Sequence, residues 1–311
     1  MRVLVAGSTG VIGRRLMPLL EAVGHEAIGL SRSGDGPAGR TLAADALDRD
    51  AVSRAVREAA PDAVVNLLTA IPAALDPKHL ARDFAVTNRL RTEGTRNLYD
   101  AARGAGTARI LAQGLAYAYR PAAGLADEDA PLWTERTPKQ FAPVLAALVD
   151  LETMTAEAGG LVLRFGHLYG PGSAYAPDGS FTAQVRAGKV PVVGGGHAVL
   201  SFTHADDAAT AIVAALDKDV TGALNIVDDT PVTMADFLTR YARMLDAPAP
   251  KRAPAALARL AVGGWGVAFM NGLRGADNSR ARLRLDWRPR HPSWVHGMEA
   301  GGAGAAARDA A

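Results

Sequence analysis

The stretch GSTGVIG (residues 7–13) lies between a strand-like apolar run, RVLVA at residues 2–6, and a segment whose apolar residues follow helical spacing. Glycines in such a turn let the backbone approach a pyrophosphate closely, and the N-terminus of the following helix attracts its negative charge. Tight strand–helix packing can also require glycine, but three glycines spaced G-x-x-G-x-x-G at this junction favour a dinucleotide site. The residues predicted to bind it are Gly7, Ser8, Thr9, Gly10, Val11, Ile12 and Gly13.

The rest of the first half alternates apolar runs with helical patterns, as in DAVVNLL at residues 62–68 and GLVLRF at residues 160–165. Strands this apolar, separated by helices, are typical of a parallel sheet covered on both faces. We therefore predict an α/β fold with a doubly wound parallel sheet of the Rossmann type. The predicted domains are a dinucleotide-binding domain over residues 1–165, to which some later segments return, a smaller C-terminal substrate lobe over residues 166–298, and a disordered tail over residues 299–311.

The second predicted strand, EAIGL, ends without an acid that would bind the ribose hydroxyls of NAD. Ser31 and Arg32 follow it instead, and a guanidinium can pair with the 2′-phosphate of NADP. The alternative is that Arg32 is a solvated loop residue. We expect NADP(H) in preference to NAD(H). The remaining predicted cofactor contacts are Asp45, Leu68 and Gln113.

The composition excludes several classes of function. The 311 residues carry a formal net charge of +2 without a block of like charges, so we expect no nucleic-acid partner. Cysteine is absent, which removes disulfides, thiolate nucleophiles and Cys-ligated zinc, and no metal site is predicted. No run approaches eighteen apolar residues and no signal peptide is visible, so we expect no membrane association and a cytoplasmic location.

The glycine loop is one of several motifs that occur together in a fixed order. The others are EGTRNLYDAAR (93–103), LRFGHLYGPG (163–172), SFTHADDAA (201–209), GALNIVDD (222–229) and LDWRPRHPSW (285–294). Over about residues 1–298 these motifs resemble the extended short-chain dehydrogenase/reductase family, which includes nucleotide-sugar epimerases and dehydratases. The resemblance implies a Rossmann domain with a small C-terminal lobe, a small-molecule substrate, and a homodimer formed through helices at about 81–103 and 140–158.

Members of this family usually carry a Tyr-x-x-x-Lys pair on a central helix, in which the Tyr is the acid/base and the Lys lowers its pKa. Counting back from Glu152, this helix has Val144 at the Tyr position and Leu148 at the Lys position. None of the six tyrosines stands four residues before a lysine, so no such pair exists in the sequence. The Ser or Thr that assists the pair is also absent, because its place falls at about Gln113 or Gly114. The chain is therefore predicted to be an atypical member.

Three residues in loops are candidates for a displaced acid: Tyr117 after the fifth strand, and His167 and Tyr169 after the sixth. An ordinary histidine titrates near neutrality and can donate a proton without a lysine partner, whereas aromatic packing is the alternative role of the tyrosines. We predict an NADP(H)-binding oxidoreductase with these three candidate catalytic residues. The alternative is a redox-silent member of the family, either a cyclase, dehydratase or isomerase or an NADP(H) sensor.

One position bears on the substrate. The resemblance implies that nucleotide-sugar enzymes usually carry an Arg just before the segment SFTHADDAA, where it binds the diphosphate. Leu200 stands at this position. We therefore predict a small non-nucleotide metabolite, polyketide-like or aromatic, as the substrate. His204 and Asp206, in the same segment, are predicted to fix the start of the next helix.

Overall fold

The computed structural model describes residues 1–37, 39–72 and 74–299. Of the predicted disordered tail, residues 300–311 lie outside the described residues. The strands are β1 (Arg2–Ala6), β2 (Glu26–Ser31), β3 (Arg40–Ala43), β4 (Ala63–Asn66), β5 (Arg109–Leu115), β6 (Leu161–Phe165), β7 (His167–Tyr169), β8 (Val192–Val193), β9 (Val199–Leu200), β10 (Phe202–His204), β11 (Gly222–Ile226), β12 (Val232–Thr233) and β13 (Arg252–Ala253).

The helices flank these strands. They are α1 (Gly13–Ala22), α2 (Arg49–Ala59), α3 (Leu80–Asp83), α4 (Ala85–Arg89), α5 (Thr95–Gly104), α6 (Ala142–Glu157), α7 (Ser180–Arg186), α8 (Ala205–Leu216), α9 (Met234–Met244), α10 (Ala255–Asn271), α11 (Ser279–Leu285) and α12 (Trp294–Met298). A π-helical turn, Leu90–Gly94, joins α4 to α5. None of the helices in the described part of the chain is both long enough and apolar enough to cross a membrane.

Seven strands form one sheet in the order β3-β2-β1-β4-β5-β6-β11, and every neighbouring pair is parallel. The predicted α/β fold with a doubly wound parallel sheet is thereby confirmed. The strand order reverses between β1 and β4, because β2 and β3 lie on one side of β1 and the later strands on the other. The loops that leave β1 and β4 therefore diverge, which opens a crevice at the carboxyl ends of the strands.

The burial of β1 explains why it reads as a continuous apolar run. Val3 and Val5 belong to the core cluster formed with α1 and α8. Leu4 and Ala6 belong to the cluster on the opposite face, formed with α2 and α5. All four side chains are fully buried, as expected of a parallel sheet covered on both faces.

For two strands of this sheet, the local sequence pattern does not predict the strand or its position in the sheet. The strand β3 was not predicted, because its four residues, RTLA, lie at the sheet edge and are at most half-buried. The strand β11 comes from the C-terminal half but pairs with β6, and α8 packs against α1. Residues 205–226 therefore return to the Rossmann layers.

The remaining C-terminal segments form a lobe over the carboxyl edge of the sheet. It contains three two-stranded pairs, β7–β10, β8–β13 and β9–β12, together with α7, α9, α10 and α12. Only Gly166 separates β6 from β7, so the lobe begins directly where a sheet strand ends. In the pairing of β7 with β10, His167 lies opposite Phe202. The lobe thus carries His167 to the sheet edge where the crevice lies.

Candidate functional site

The glycine loop, which leaves β1, is held between the ends of the two strands that flank β1 in the sheet, β2 and β4. Gly7 has a φ of +92°, which glycine adopts at little cost. Its N–H donates to the carbonyl oxygen of Leu30 in β2 at 3.1 Å, and a Cβ at Gly7 would lie 2.7 Å from the carbonyl oxygen of Leu67 after β4. The loop therefore lies at the point where the strand order reverses.

The turn into α1 is equally tight and leaves donors available. A Cβ at Gly13 would lie 2.4 Å from the carbonyl oxygen of Gly7, so the first helical turn folds directly onto the start of the loop. The N–H groups of Thr9, Val11 and Ile12 find no acceptor among the described residues. Several unpaired N–H groups at a helix N-terminus fit a pyrophosphate, so this loop could hold a dinucleotide.

The other predicted cofactor residues near the loop differ in what they can contact. The Ser8 side chain is buried beneath β2, where a Cβ at Gly29 would lie 2.7 Å from its hydroxyl, so this hydroxyl is not exposed to a ligand of the loop. Leu68 is partly buried next to the loop, and its N–H donates to the Asn66 carboxamide at 3.2 Å. Gln113 lies inside β5, two residues before the strand ends.

At the end of β2 the polar residues have separate roles. The Ser31 hydroxyl donates to the carbonyl oxygen of Asp35 at 2.8 Å and accepts the N–H of Gly34 at 3.1 Å, so it builds the turn. Arg32 is exposed and forms no ion pair within the described ranges. Asp45 is exposed and its carboxylate accepts a main-chain N–H two residues later. Arg32 therefore remains free to pair with an anion.

The buried ion pair of Glu152 and Arg164 fixes α6 against β6. The guanidinium contacts both carboxylate oxygens, at 3.0 and 2.6 Å. With the helix held in this register, Val144 and Leu148 are 1% and 0% exposed and pack with Phe141 in the apolar core of the lobe. The positions that the resemblance assigns to an acid/base and its lysine therefore hold side chains that cannot transfer a proton.

Two of the three candidate acids are stacked on one another. The rings of Tyr117 and His167 lie 4.5 Å apart with an interplanar angle of 12°. Burial lowers the pKa of His167 to about 3, so its imidazole is neutral near pH 7, which corrects the expectation that it titrates near neutrality. Burial also raises the pKa of the Tyr117 phenol. Neither group has a pKa matched to proton donation at neutral pH.

Tyr169, the third candidate, lies in the core of the lobe. It is 1% exposed, it meets the rings of Phe202 and His204 edge-on, and burial raises its pKa. Its hydroxyl has no hydrogen-bond partner in the described part of the chain. A Cβ at Gly297 would collide with this phenol, so α12 closes over it. Aromatic packing, the alternative foreseen for the tyrosines, accounts for this burial.

The stacked pair belongs to a larger group of rings, which we call the aromatic site: Tyr117, Phe141, His167, Trp265 and Phe269. Phe269 meets the His167 ring edge-on at 5.6 Å, and Trp265 stacks on Phe141 at 4.0 Å. The rings of Tyr117 and Phe269, which are only half-buried, present flat apolar faces that suit an aromatic ligand.

The part of the aromatic site that α10 contributes was not predicted from the sequence. Trp265 and Phe269 stand four residues apart in a segment of mostly small residues. This spacing places both rings on one face of a helix, which the sequence could have indicated. The sequence does not say which part of the sheet this helix covers. Gly263, with a φ of +70°, interrupts α10 just before the two aromatic residues. Arg91 of the π-helical turn, buried near Tyr117, was also missed.

One group of side chains has the spacing of metal ligands. Atoms of His204, Asp207 and His291 lie within 4.8 Å of one another. The Asp207 carboxylate, however, already accepts the main-chain N–H groups of Arg290 and His291 at 2.8 and 3.0 Å. His204 Nδ1 accepts the N–H of Asp206 at 3.2 Å, which confirms its predicted role at the start of α8. The group anchors the C-terminal segment to this helix.

Comparison with known proteins agrees with this architecture. The family model described as "NAD dependent epimerase/dehydratase family" matches residues 3–227. A relative from a Streptomyces species, named 3-diazoavenalumate denitrifying reductase, is 47% identical over 303 residues, which cover 96% of this chain and 99% of the relative.

Solved structures share the fold at low sequence identity. UDP-glucose 4-epimerase from Thermotoga maritima, solved with UDP-glucose, has a TM-score of 0.77 at 19% identity and covers 99% of both chains. The human epimerase family protein SDR39U1, solved with NADPH, has a TM-score of 0.72 at 24% identity, covering 97% of this chain and 99% of that one.

Proposed function

Because this chain belongs to the NAD dependent epimerase/dehydratase family, we propose that it is an NADP(H)-dependent reductase that removes the diazo group from an aromatic carboxylate. The family, together with the reductase name of the 47% identical relative, supports an oxidoreductase with a nicotinamide cofactor. The preference for NADP(H), the substrate class and the roles of individual residues are the proposal.

The proposed cofactor site uses the glycine loop and the end of β2. The free N–H groups of residues 9, 11 and 12 would bind the pyrophosphate, and Arg32 would bind the 2′-phosphate. Arg32 is exposed and has no acidic partner in the described part of the chain, so no ion pair has to break when its guanidinium binds a phosphate.

The observation that carries the proposed reaction is the absence of a matched acid in the aromatic site. Val144 and Leu148 are apolar, His167 is neutral, and the phenol of Tyr117 is a weak acid. Reduction of a carbonyl needs a proton donor for the oxygen on which negative charge develops. An acceptor that already carries a positive charge has no such requirement.

An aryl diazonium is an acceptor of this kind. Bound NADPH would supply one hydride, so that Ar–N₂⁺ plus hydride gives Ar–H and N₂ while the nicotinamide leaves in its oxidised form. The flat walls of Tyr117, Phe269 and Trp265 would hold the aryl ring and exclude the water that otherwise hydrolyses a diazonium. The neutral state of His167 suits this role, because an imidazolium would repel the diazonium.

The test is reduction of 3-diazo-4-hydroxybenzoate, with both diazo nitrogens labelled with ¹⁵N, by the protein and NADPH. We expect NADPH oxidation, followed at 340 nm, to release ¹⁵N₂ and 4-hydroxybenzoate in equal amounts, as measured by mass spectrometry. A reaction mixture without protein controls for spontaneous loss of nitrogen. Binding of NADPH without oxidation or nitrogen release would instead favour the redox-silent alternative.

We expect Arg32→Ala to weaken NADPH binding by about 10–100-fold, since a charge-assisted hydrogen bond contributes about 1.5–3 kcal/mol. NADH lacks the 2′-phosphate, so its dissociation constant should stay within about twofold of the wild-type value. Fluorescence titration with each cofactor measures the difference. Arg57→Ala, which removes an exposed arginine of α2, is the matched control. Equal losses for both cofactors would exclude NADP(H) selection by Arg32.

A further inference from the structure

The π-helical turn between α4 and α5 places one charged side chain inside the protein. Arg91 is 4% exposed, and its Nη1 is buried without a partner. Among residues 1–37, 39–72 and 74–299 its guanidinium forms neither a hydrogen bond nor an ion pair. The ring of Phe84, 6.0 Å from the guanidinium carbon, is the one cation–π contact recorded for it in these ranges.

Such a group is costly to bury. A guanidinium keeps its charge at physiological pH, so it cannot become neutral as a buried lysine or histidine can. A buried charge normally has an ion-pair or hydrogen-bond partner, as Arg164 has in Glu152. An anion would stabilise the unpaired guanidinium of Arg91, and the described residues do not provide one.

A second polar group without a partner lies on the same helix face. Phe84, Asn88 and Arg91 recur at i, i+4 and i+7 along α4 and the π-helical turn. The Oδ1 atom of Asn88 is buried and has no donor in the described part of the chain. A carboxamide and a guanidinium that are both unsatisfied and adjacent on one face form a small polar patch in apolar surroundings.

This patch borders the aromatic site. The charge of Arg91 acts on the Tyr117 phenol, whose pKa it lowers in part against the larger effect of burial. The Tyr117 ring in turn stacks on His167, which contacts Phe269. Phe84, whose ring lies 6.0 Å from the guanidinium carbon of Arg91, packs in the same apolar core cluster as Phe141 and Trp265. A ligand bound against these rings would therefore have Arg91 near one end.

We propose that Arg91 binds the carboxylate of an aromatic substrate in the aromatic site. The identification of this site as the substrate site rests on the proposed function. A guanidinium binds a carboxylate through two parallel N–H···O bonds. The unpaired Asn88 Oδ1 is an acceptor, so it does not bind the carboxylate itself. Arg91 also fixes the orientation, since it attracts the carboxylate and repels a diazonium, so that the diazo group lies at the opposite end of the ring.

The experiment compares two stable ligands of nearly the same shape, 4-hydroxycinnamate and its primary amide, in which the carboxylate is replaced by a neutral group. Their dissociation constants are measured by calorimetry on the protein saturated with NADP⁺. We expect the wild-type protein to bind the carboxylate at least about tenfold more tightly than the amide. Arg91→Met should abolish this preference by weakening the carboxylate alone, and Arg91→Lys should restore part of it.

Arg89→Met is the matched control, because Arg89 is exposed two residues earlier and pairs with Glu93. It should leave the preference for the carboxylate unchanged. Arg91→Met should also keep or raise the thermal midpoint, since it removes an unpaired buried charge. If this variant does not fold, the wild-type preference and Arg91→Lys decide the question.

Three results would overturn the assignment. The first is that the wild-type protein binds both ligands equally or binds neither. The second is that Arg91→Met keeps the preference for the carboxylate, and the third is that Arg91→Met weakens binding of both ligands equally. The result of this binding experiment does not depend on whether the protein reduces a diazo group. A carboxylate preference without release of N₂ would keep the role of Arg91 and reject diazo reduction. Release of N₂ without a carboxylate preference would support diazo reduction and reject the role of Arg91.

Discussion

Replacing Gly13 with alanine should weaken binding of the nicotinamide cofactor by about 100-fold or more, equivalent to ~3 kcal/mol. The added Cβ would lie 2.4 Å from the carbonyl oxygen of Gly7 and 2.6 Å from that of Ser8. Both are backbone atoms, which cannot rotate away as the end of a side chain can. The loop must therefore shift, and the N–H groups that would bind the pyrophosphate shift with it.

Titration of intrinsic fluorescence with NADPH measures this effect, and thermal unfolding shows whether the variant still folds. Gly104→Ala is the matched control, because nothing lies within 4 Å of a Cβ at that position, at the end of α5. Its cofactor affinity should equal that of the wild-type protein. If a folded Gly13→Ala protein bound NADPH normally, the glycine loop would not be the cofactor site.

The glycine loop could be read from the sequence because its strand, turn and helix are adjacent along the chain. The strand β3 could not, since its four residues are only half-buried and depend on pairing with β2. The strand β11 shows the same limit over a longer distance. Its apolar pattern predicted a strand, but its place beside β6 depends on a contact across about 60 residues.

The candidate site was predictable to a smaller extent than the fold. Tyr117 and His167 follow neighbouring strands, so their proximity could be expected. The low pKa of His167 could not, because it depends on burial under Phe202 and Phe269, which come from other elements. Arg91 gave no signal, since an arginine in a helix is normally exposed and nothing local indicates that the turn is π-helical.

Introducing the missing lysine by Leu148→Lys should destabilise the protein by about 4–7 kcal/mol at pH 7, because full burial lowers the pKa of a lysine by about 3–5 units. Leu148 is 0% exposed in the apolar core of the lobe, and the carboxylate one helical turn later, Glu152, is already paired with Arg164. This position therefore cannot accommodate the charged lysine of the family's catalytic pair. For the same reason, the double variant Val144→Tyr/Leu148→Lys should gain no carbonyl reductase activity.

The pH dependence distinguishes charge burial from poor packing. Since the folded state lowers the lysine pKa, the unfolded state binds more protons between that lowered pKa and about 10.4. The free energy of unfolding of Leu148→Lys should therefore rise with pH through this window relative to the wild-type value, as measured by denaturant unfolding at pH 6 to 10. Leu148→Met is the control, with a loss of less than about 1.5 kcal/mol that does not depend on pH. A pH-independent loss in Leu148→Lys would mean that the lysine reaches solvent, and the α6 face would then be open enough to accommodate the family's catalytic pair.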